Sequence, residues 1–277
     1  GDTVAIPIDT EPWALSRALM GRKTELNNVT ILIRRPRRDL GWFEADLADS
    51  FKVLIDTQAS SCATLNEKSR GIIPFLTSVR FRDGHHREGA TKLDVVLITV
   101  SPPDDDGYCS FGTFLSHKRD YARNASKVLA EVSSEPRMMV RVPGDGRIHV
   151  SEISYFTEHI GHPSNKRTLE SEPGADERTI AEYVATLVRD GDTIQVGPGS
   201  ITESVIALGL LDNRNDLGIH SALINEGMLG LIRKGVVTGK RKSVNQGLSV
   251  TAGFSGIEEA EDLSFINGNK HFLLRDM

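Results

Sequence analysis

Apolar residues run along this chain in short unbroken blocks, separated by stretches where they recur every three or four positions. The blocks include Val4-Ala5-Ile6, Val29-Thr30-Ile31-Leu32-Ile33, Lys92 to Val100, Lys127 to Val132 and Leu217 to Ser221. Continuous apolar runs of this length, without strict alternation, are the pattern of strands buried on both faces of a parallel sheet. Helical spacing is predicted for Glu11 to Leu19, Lys118 to Ala125, Asp176 to Val188, Glu203 to Leu211 and Met228 to Lys234. In the third of these, Ile180, Val184 and Leu187 share one face. Strands alternating with helices predict an α/β fold.

The pattern occurs twice. Gly1-Asp2-Thr3-Val4-Ala5-Ile6 is echoed 190 residues later by Gly191-Asp192-Thr193-Ile194-Gln195-Val196. Each copy continues into an apolar helical run and then a second strand, announced by Asn27-Asn28 in one and by Asn215-Asp216 in the other. A strand, crossover helix and second strand place the two strands parallel, with the connecting loop at the carboxyl end of the first, where open α/β sheets take ligands. We therefore expect two tandem, related open α/β domains. The N-terminal one spans 1–162, a polar, proline-containing linker spans 163–175, and the C-terminal one spans 176–277. The second copy is shorter than the first, so the expectation is that its sheet is incomplete, finished either by further residues or by another chain.

Composition narrows the partners. With 33 basic and 38 acidic residues the net charge is -5, which argues against a broad basic face for nucleic acid while leaving room for an anionic small ligand. No apolar run approaches the roughly 20 residues of a membrane span, and Gly1-Asp2-Thr3 lacks the features of a signal peptide; the cytoplasm is the expected compartment, with no membrane partner. Cys62 and Cys109 stand alone, without clustered histidines, which predicts two reduced thiols and no metal site.

Several segments carry candidate chemistry. Gly197-Pro198-Gly199-Ser200 lies between a strand and a helix, where backbone N–H groups and a helix N-terminus together hold an anion or a developing oxyanion. It lacks the third glycine of a dinucleotide fingerprint, and a plain turn is the alternative. The segment His220 to Gly227 ends the neighbouring strand. It supplies one imidazole, His220, read as a core residue or a catalyst, and one carboxylate, Glu226, read as a general base or an acid at a helix start. Arg34-Arg35-Pro36-Arg37-Arg38 reads as a phosphate grip or a solvated loop, and Asp104-Asp105-Asp106, after a double proline, as a turn.

Taken together, Val100-Ser101-Pro102-Pro103-Asp104 with Gly107-Tyr108-Cys109-Ser110, Val128 to Val132, Gly146 to Ile153, Val196-Gly197-Pro198-Gly199 and Leu217 to Ser221 with Gly227 resemble the acetyl-CoA hydrolase/transferase family, which includes the 4-hydroxybutyrate CoA-transferases. The resemblance implies two tandem domains of CoA-transferase type. It implies acyl-CoA and a carboxylic acid as substrates and no metal. It also implies a glutamate that attacks the thioester to give an acyl-glutamyl anhydride, beside a glycine loop at Gly197 and Gly199. Where the family reads His-Ser/Thr-Glu, this chain reads His220-Ser221-Ala222. A methyl group cannot form an anhydride. The expectation is a CoA-transferase or thioester hydrolase with the nucleophile replaced, in which Glu226 serves as base and Gly197, Pro198, Gly199 and Ser200 bind CoA. The alternative is a CoA-binding subunit without turnover, completed by a second polypeptide. Either way an oligomer is expected.

Overall fold

The computed structural model describes residues 1–7, 11–33, 41–42, 44–55, 93–160, 173–197 and 199–276. In chain order its elements are β1 (Thr3–Ile6), α1 (Trp13–Gly21), β2 (Val29–Ile33), β3 (Phe51–Ile55), β4 (Leu93–Val100), β5 (Tyr108–Ser110), α2 (Lys118–Asn124), β6 (Ala125–Val132), α3 (Pro136–Met139), β7 (Arg147–His149) and β8 (Tyr155–Glu158). They continue with α4 (Ala175–Leu187), β9 (Thr193–Ile194), α5 (Ser200–Ala207), β10 (Gly218–Ser221), β11 (Ile224–Asn225), α6 (Glu226–Arg233), β12 (Ser249–Thr251), β13 (Phe254–Ser255), α7 (Ala260–Ile266) and β14 (Phe272–Leu274). Among the described residues no helix is long and apolar enough to cross a membrane.

Two parallel sheets result. The first has the strand order β3-β2-β1-β4-β6-β8 and the second β14-β12-β10-β9. Strand β4 sits centrally, with Val96, Ile98 and Val100 fully buried, as its unbroken apolar run requires. The duplication seen in the sequence is a duplication of structure. Strand β1 pairs parallel with β2 after crossing through α1, and β9 pairs parallel with β10 after crossing through α5. The carbonyl of Asp2 accepts the Thr30 N–H at 2.9 Å, and that of Asp192 accepts the Gly218 N–H at 2.9 Å. The residues that lead into each second strand, Asn28 (φ 57°) and Asp216 (φ 54°), both take the left-handed conformation, which short polar side chains tolerate better than other non-glycine residues.

Where the structure departs from the pattern, local chemistry explains it. The fourth helix was expected over Glu203 to Leu211, yet α5 runs over Ser200–Ala207. Gly199 (φ 151°) starts it and Gly209 (φ 68°) stops it, so two glycines, not the apolar spacing, set its ends. Strand β9 is two residues long, shorter than its run suggests. One pair, β5 with β7, is antiparallel and places Cys109 opposite Ile148, both fully buried. Of the expected linker only 173–175 falls among the described residues, while Cys62 and the arginines at 34–38 lie outside them.

The two sheets share a core. One buried cluster joins Val96 and Ile98 on the first, the loop residues Phe111 and Leu115, Phe254 of β13, and Ile219 and Phe272 on the second. A smaller cluster with Trp42 and Phe51 fills the far side of the first sheet. Backbone bonds stitch the sheets together. Leu115 N–H donates to Ala252 O at 2.8 Å and Phe254 N–H to Thr113 O at 2.8 Å, and Phe114 lies against Gly253, where a Cβ would come within 2.7 Å of the ring. Further along, Leu274 N–H donates to Pro143 O and Asp145 N–H to Leu274 O, at 2.8 and 2.9 Å.

Candidate functional site

The candidate site lies at the carboxyl end of β9 and β10. Gly197 has open space where a Cβ would stand, and Gly199 adopts a φ of 151°, a conformation L side chains rarely adopt. The hydroxyl of Thr202, in the first turn of α5, lies 2.6 Å from the Gly197 carbonyl and 3.0 Å from that of Gly199, which fixes the loop against its own helix. Ser200 begins α5 and bonds the carboxylate of Glu177 on α4. That bond, with a second from the Gly174 N–H, holds the Glu177 carboxyl below the usual carboxylate range. Pro198 lies outside the described residues.

Ser221 ends β10 and joins the two halves of the site. Its hydroxyl donates to the Val196 carbonyl at 3.2 Å and lies 3.4 Å from the Val196 N–H, so the glycine loop and the strand end are neighbours. Ala222 follows directly and is half-buried. Its carbonyl accepts the Ala252 N–H at 3.1 Å and the Thr251 hydroxyl at 3.2 Å. Because the Ala252 carbonyl also accepts the N–H of Leu115, in the segment between β5 and α2, position 222 is tied to the N-terminal half of the fold.

The remaining sequence candidates are placed as follows. His220 is exposed, on the face of β10 opposite the buried Ile219 and Ser221, which rules out the core-residue reading. Glu226 is the exposed first residue of α6 and lines a cleft of about 330 Å³ with Gly230, Arg233, Glu259, Glu261 and Asp262. The capping group of that helix is Asn225, whose side chain accepts the Met228 N–H at 2.9 Å. An asparagine ahead of an apolar helical run was a legible cap signal. Glu177 and Thr251 had no such signal, since both reach the site from distant stretches of chain. The Asp104 to Asp106 segment is the expected turn, with Asp105 and Asp106 exposed. Asp104 is tied in: the Tyr108 N–H first, and Arg141 second, hold its carboxyl below the usual range. Among the described residues no group of histidine, cysteine and acidic side chains is placed to hold a metal ion.

A second cleft, of about 380 Å³, opens between the β5–β7 pair and the Gly268 turn, where the Arg147 guanidinium lies 4.4 Å from the centre of the Tyr108 ring. Cys109 forms part of its wall, and burial pushes its thiol up to about 11.

Residues 79–164 match the acetyl-CoA hydrolase/transferase N-terminal domain. Over 186 residues the chain is 39% identical to the 4-hydroxybutyrate coenzyme A transferase of Clostridium kluyveri, a match that covers 66% of this chain and 41% of that protein. Over 251 residues it is 28% identical to the succinyl-CoA:cyclohexane-1-carboxylate CoA transferase of Geobacter metallireducens, covering 90% and 55%. Among solved structures, RipA from Yersinia pestis superposes with a TM-score of 0.80 at 26% identity, covering 100% of this chain and 65% of RipA. The 4-hydroxybutyrate CoA-transferase of Porphyromonas gingivalis superposes with a TM-score of 0.73 at 27% identity, covering 100% and 63%. The chain thus spans between 41% and 65% of the length of these relatives.

Proposed function

Because this chain belongs to the acetyl-CoA hydrolase/transferase family, we propose that it binds acyl-CoA at the carboxyl end of its second sheet. There it acts as a CoA-transferase or thioester hydrolase in which Ala222 occupies the position of the family's attacking glutamate. The observation that carries this reading is the Ser221 hydroxyl on Val196, which brings the glycine loop beside the strand end that Ala222 continues. Gly197, Gly199 and Ser200 offer N–H groups to the thioester oxygen, and Pro198 completes the CoA-binding set without one. In the same reading 1–162 and 176–277 are the two modules, 163–175 joins them, and the protein works in the cytoplasm.

With no carboxylate at position 222, attack by water is the chemistry left. The water oxygen adds to the thioester carbon while its proton passes to Glu226, and the carbonyl oxygen takes up the electron pair under the loop N–H groups. The pair then returns, the carbon–sulfur bond breaks, and the CoA thiolate recovers the proton from Glu226. This role requires the Glu226 side chain to turn from the α7 cleft toward the loop. The products are a carboxylic acid and free CoA.

The test is chromatography of acetyl-CoA incubated with butyrate. The natural chain is expected to release CoA slowly, Glu226→Gln to release none, and Ala222→Glu to form butyryl-CoA. Absence of any CoA binding by calorimetry in all three would overturn the proposal. The second reading, a CoA-binding subunit without turnover that a second polypeptide completes, is favoured by β9, which ends its sheet among the described residues. It expects CoA binding without hydrolysis, and activity of Ala222→Glu only with the completing chain.

A further inference from the structure

The crossover helices of the two modules begin in different surroundings. Helix α5, in the second module, is led in by Gly199 and begins at Ser200, and both are exposed. Helix α1, in the first, is led in by Glu11 and Pro12, and both are buried. Pro12 supplies no capping side chain, so the free N–H groups of the first turn need acceptors from elsewhere. The Leu15 N–H finds one in Glu131, 116 residues along the chain, whose Oε1 accepts it at 2.6 Å.

Glu131 is next to last in β6, in register with Thr99 of β4 and Thr157 of β8, at the carboxyl end of the first sheet. It is fully buried. A carboxylate out of water is tolerated only where donors replace the water it has lost. The second donor is His159, directly after β8, whose Nδ1 lies 2.8 Å from Oε2 of Glu131; facing a carboxylate, that nitrogen carries the proton. The His159 side chain is 8% exposed, and its Nε2 lies 3.7 Å from Oε1 of Glu135. Each oxygen of Glu131 thus has a donor, at the positive end of α1, which is how a bound anion sits at a helix start.

We propose that Glu131 is the built-in occupant of a small-carboxylate site in the first module, and that the second module alone is left open to an outside ligand. Beyond Cβ this side chain consists of a methylene and a carboxylate, the heavy atoms of acetate. Truncation to alanine therefore leaves the Leu15 N–H and the His159 Nδ1–H around a space of acetate's size. Formate under-fills that space, and propionate carries a carbon too many for it. The carboxylate site stands on the Glu131 contacts alone, whereas the division between the modules rests also on the proposed ligand site at Gly197 to Ser200.

The experiment follows the thermal midpoint of Glu131→Ala in the full 277-residue chain against sodium acetate, with sodium chloride at equal ionic strength as control. Acetate is expected to raise that midpoint, and at lower concentration than formate or propionate. The natural chain and Glu131→Gln, whose amide still fills the space, are expected to respond no more than to chloride. A Glu131→Ala chain that is unfolded in chloride and folded in acetate is the same result. Adding His159→Leu to Glu131→Ala is expected to weaken acetate about tenfold, because a hydrogen bond to a charged group is lost. The proposal is overturned if acetate acts on Glu131→Ala no differently from chloride, or acts on Glu131→Gln as strongly. Calorimetry with CoA on the same proteins separates the two claims. One CoA per natural chain is expected, and two would overturn the division between the modules. No CoA binding sinks the functional reading and the division with it, while the acetate measurement decides the carboxylate site by itself.

Discussion

Asp276 lies 156 residues from Asp120 in sequence, yet its carboxylate accepts the Asp120 N–H at 3.1 Å and also the His117 N–H. It therefore caps α2 from the far end of the chain, where the helix's own preceding residue, His117 (φ 65°), supplies no capping side chain. Burial, with further upward pushes from Asp120 and Asp145, raises the Asp276 carboxyl from 3.8 to about 6, despite the two N–H donors that pull it down. The proton is thus bound more tightly in the folded state than in the unfolded one. The stabilisation is complete below about pH 3.8 and is lost as pH rises through about 6. At 1.36 kcal/mol per pH unit this is a cost of about 3 kcal/mol at neutral pH. Asp276→Asn removes the charge but leaves one of the two N–H groups without an acceptor, a loss of about 1 kcal/mol. The variant is expected to be about 2 kcal/mol more stable than the natural chain at pH 7.5 and about 1 kcal/mol less stable at pH 3.8 or below. Urea unfolding of both proteins, followed by circular dichroism from pH 3.5 to 7.5, reads the difference with all shared titrations cancelled. A difference that stays flat across that range would refute the reasoning.

Other consequences are equally open to measurement. Gly144 has a φ of 112° and a Cβ there would stand 2.0 Å from the Leu274 carbonyl, whereas a Cβ at Gly230, inside α6, meets nothing within 4 Å. Thermal unfolding should find Gly144→Ala destabilised by more than about 2 kcal/mol and Gly230→Ala stabilised by about 0.5 to 1 kcal/mol. Cys109, fully buried with its thiol pushed up to about 11, should not react with a thiol reagent at pH 8 in native Cys62→Ser protein, and should titrate as one equivalent in urea. Lys242 is buried, and its ammonium donates to the carbonyls of Ile219 at 2.7 Å and Leu248 at 2.6 Å. Lys242→Met should cost about 2 to 4 kcal/mol in urea unfolding, by leaving both carbonyls without a donor.

The sequence by itself determined the α/β class, the duplication and the identity of the glycine loop. These follow from short-range rules: unbroken apolar runs for buried parallel strands, three- and four-residue spacing for helices, and a Gly-Asp-Thr turn with its polar left-handed partner, Asn28 or Asp216, at matching distance. The alanine at position 222, directly after His220-Ser221, was legible for the same reason, as one letter in a local string. What only the tertiary structure decided is which distant groups meet there. Thr251 and Ala252 hold the Ala222 carbonyl from about 30 residues away, Glu177 reaches Ser200 from another helix, and Leu115, ahead of α2, donates its N–H to Ala252, just after β12. It also decided that the apolar stripe of α4, whose period promises burial, is exposed at Ile180, Val184 and Leu187. A period fixes which residues share a face, but whether that face is covered depends on what polypeptide the rest of the fold brings against it.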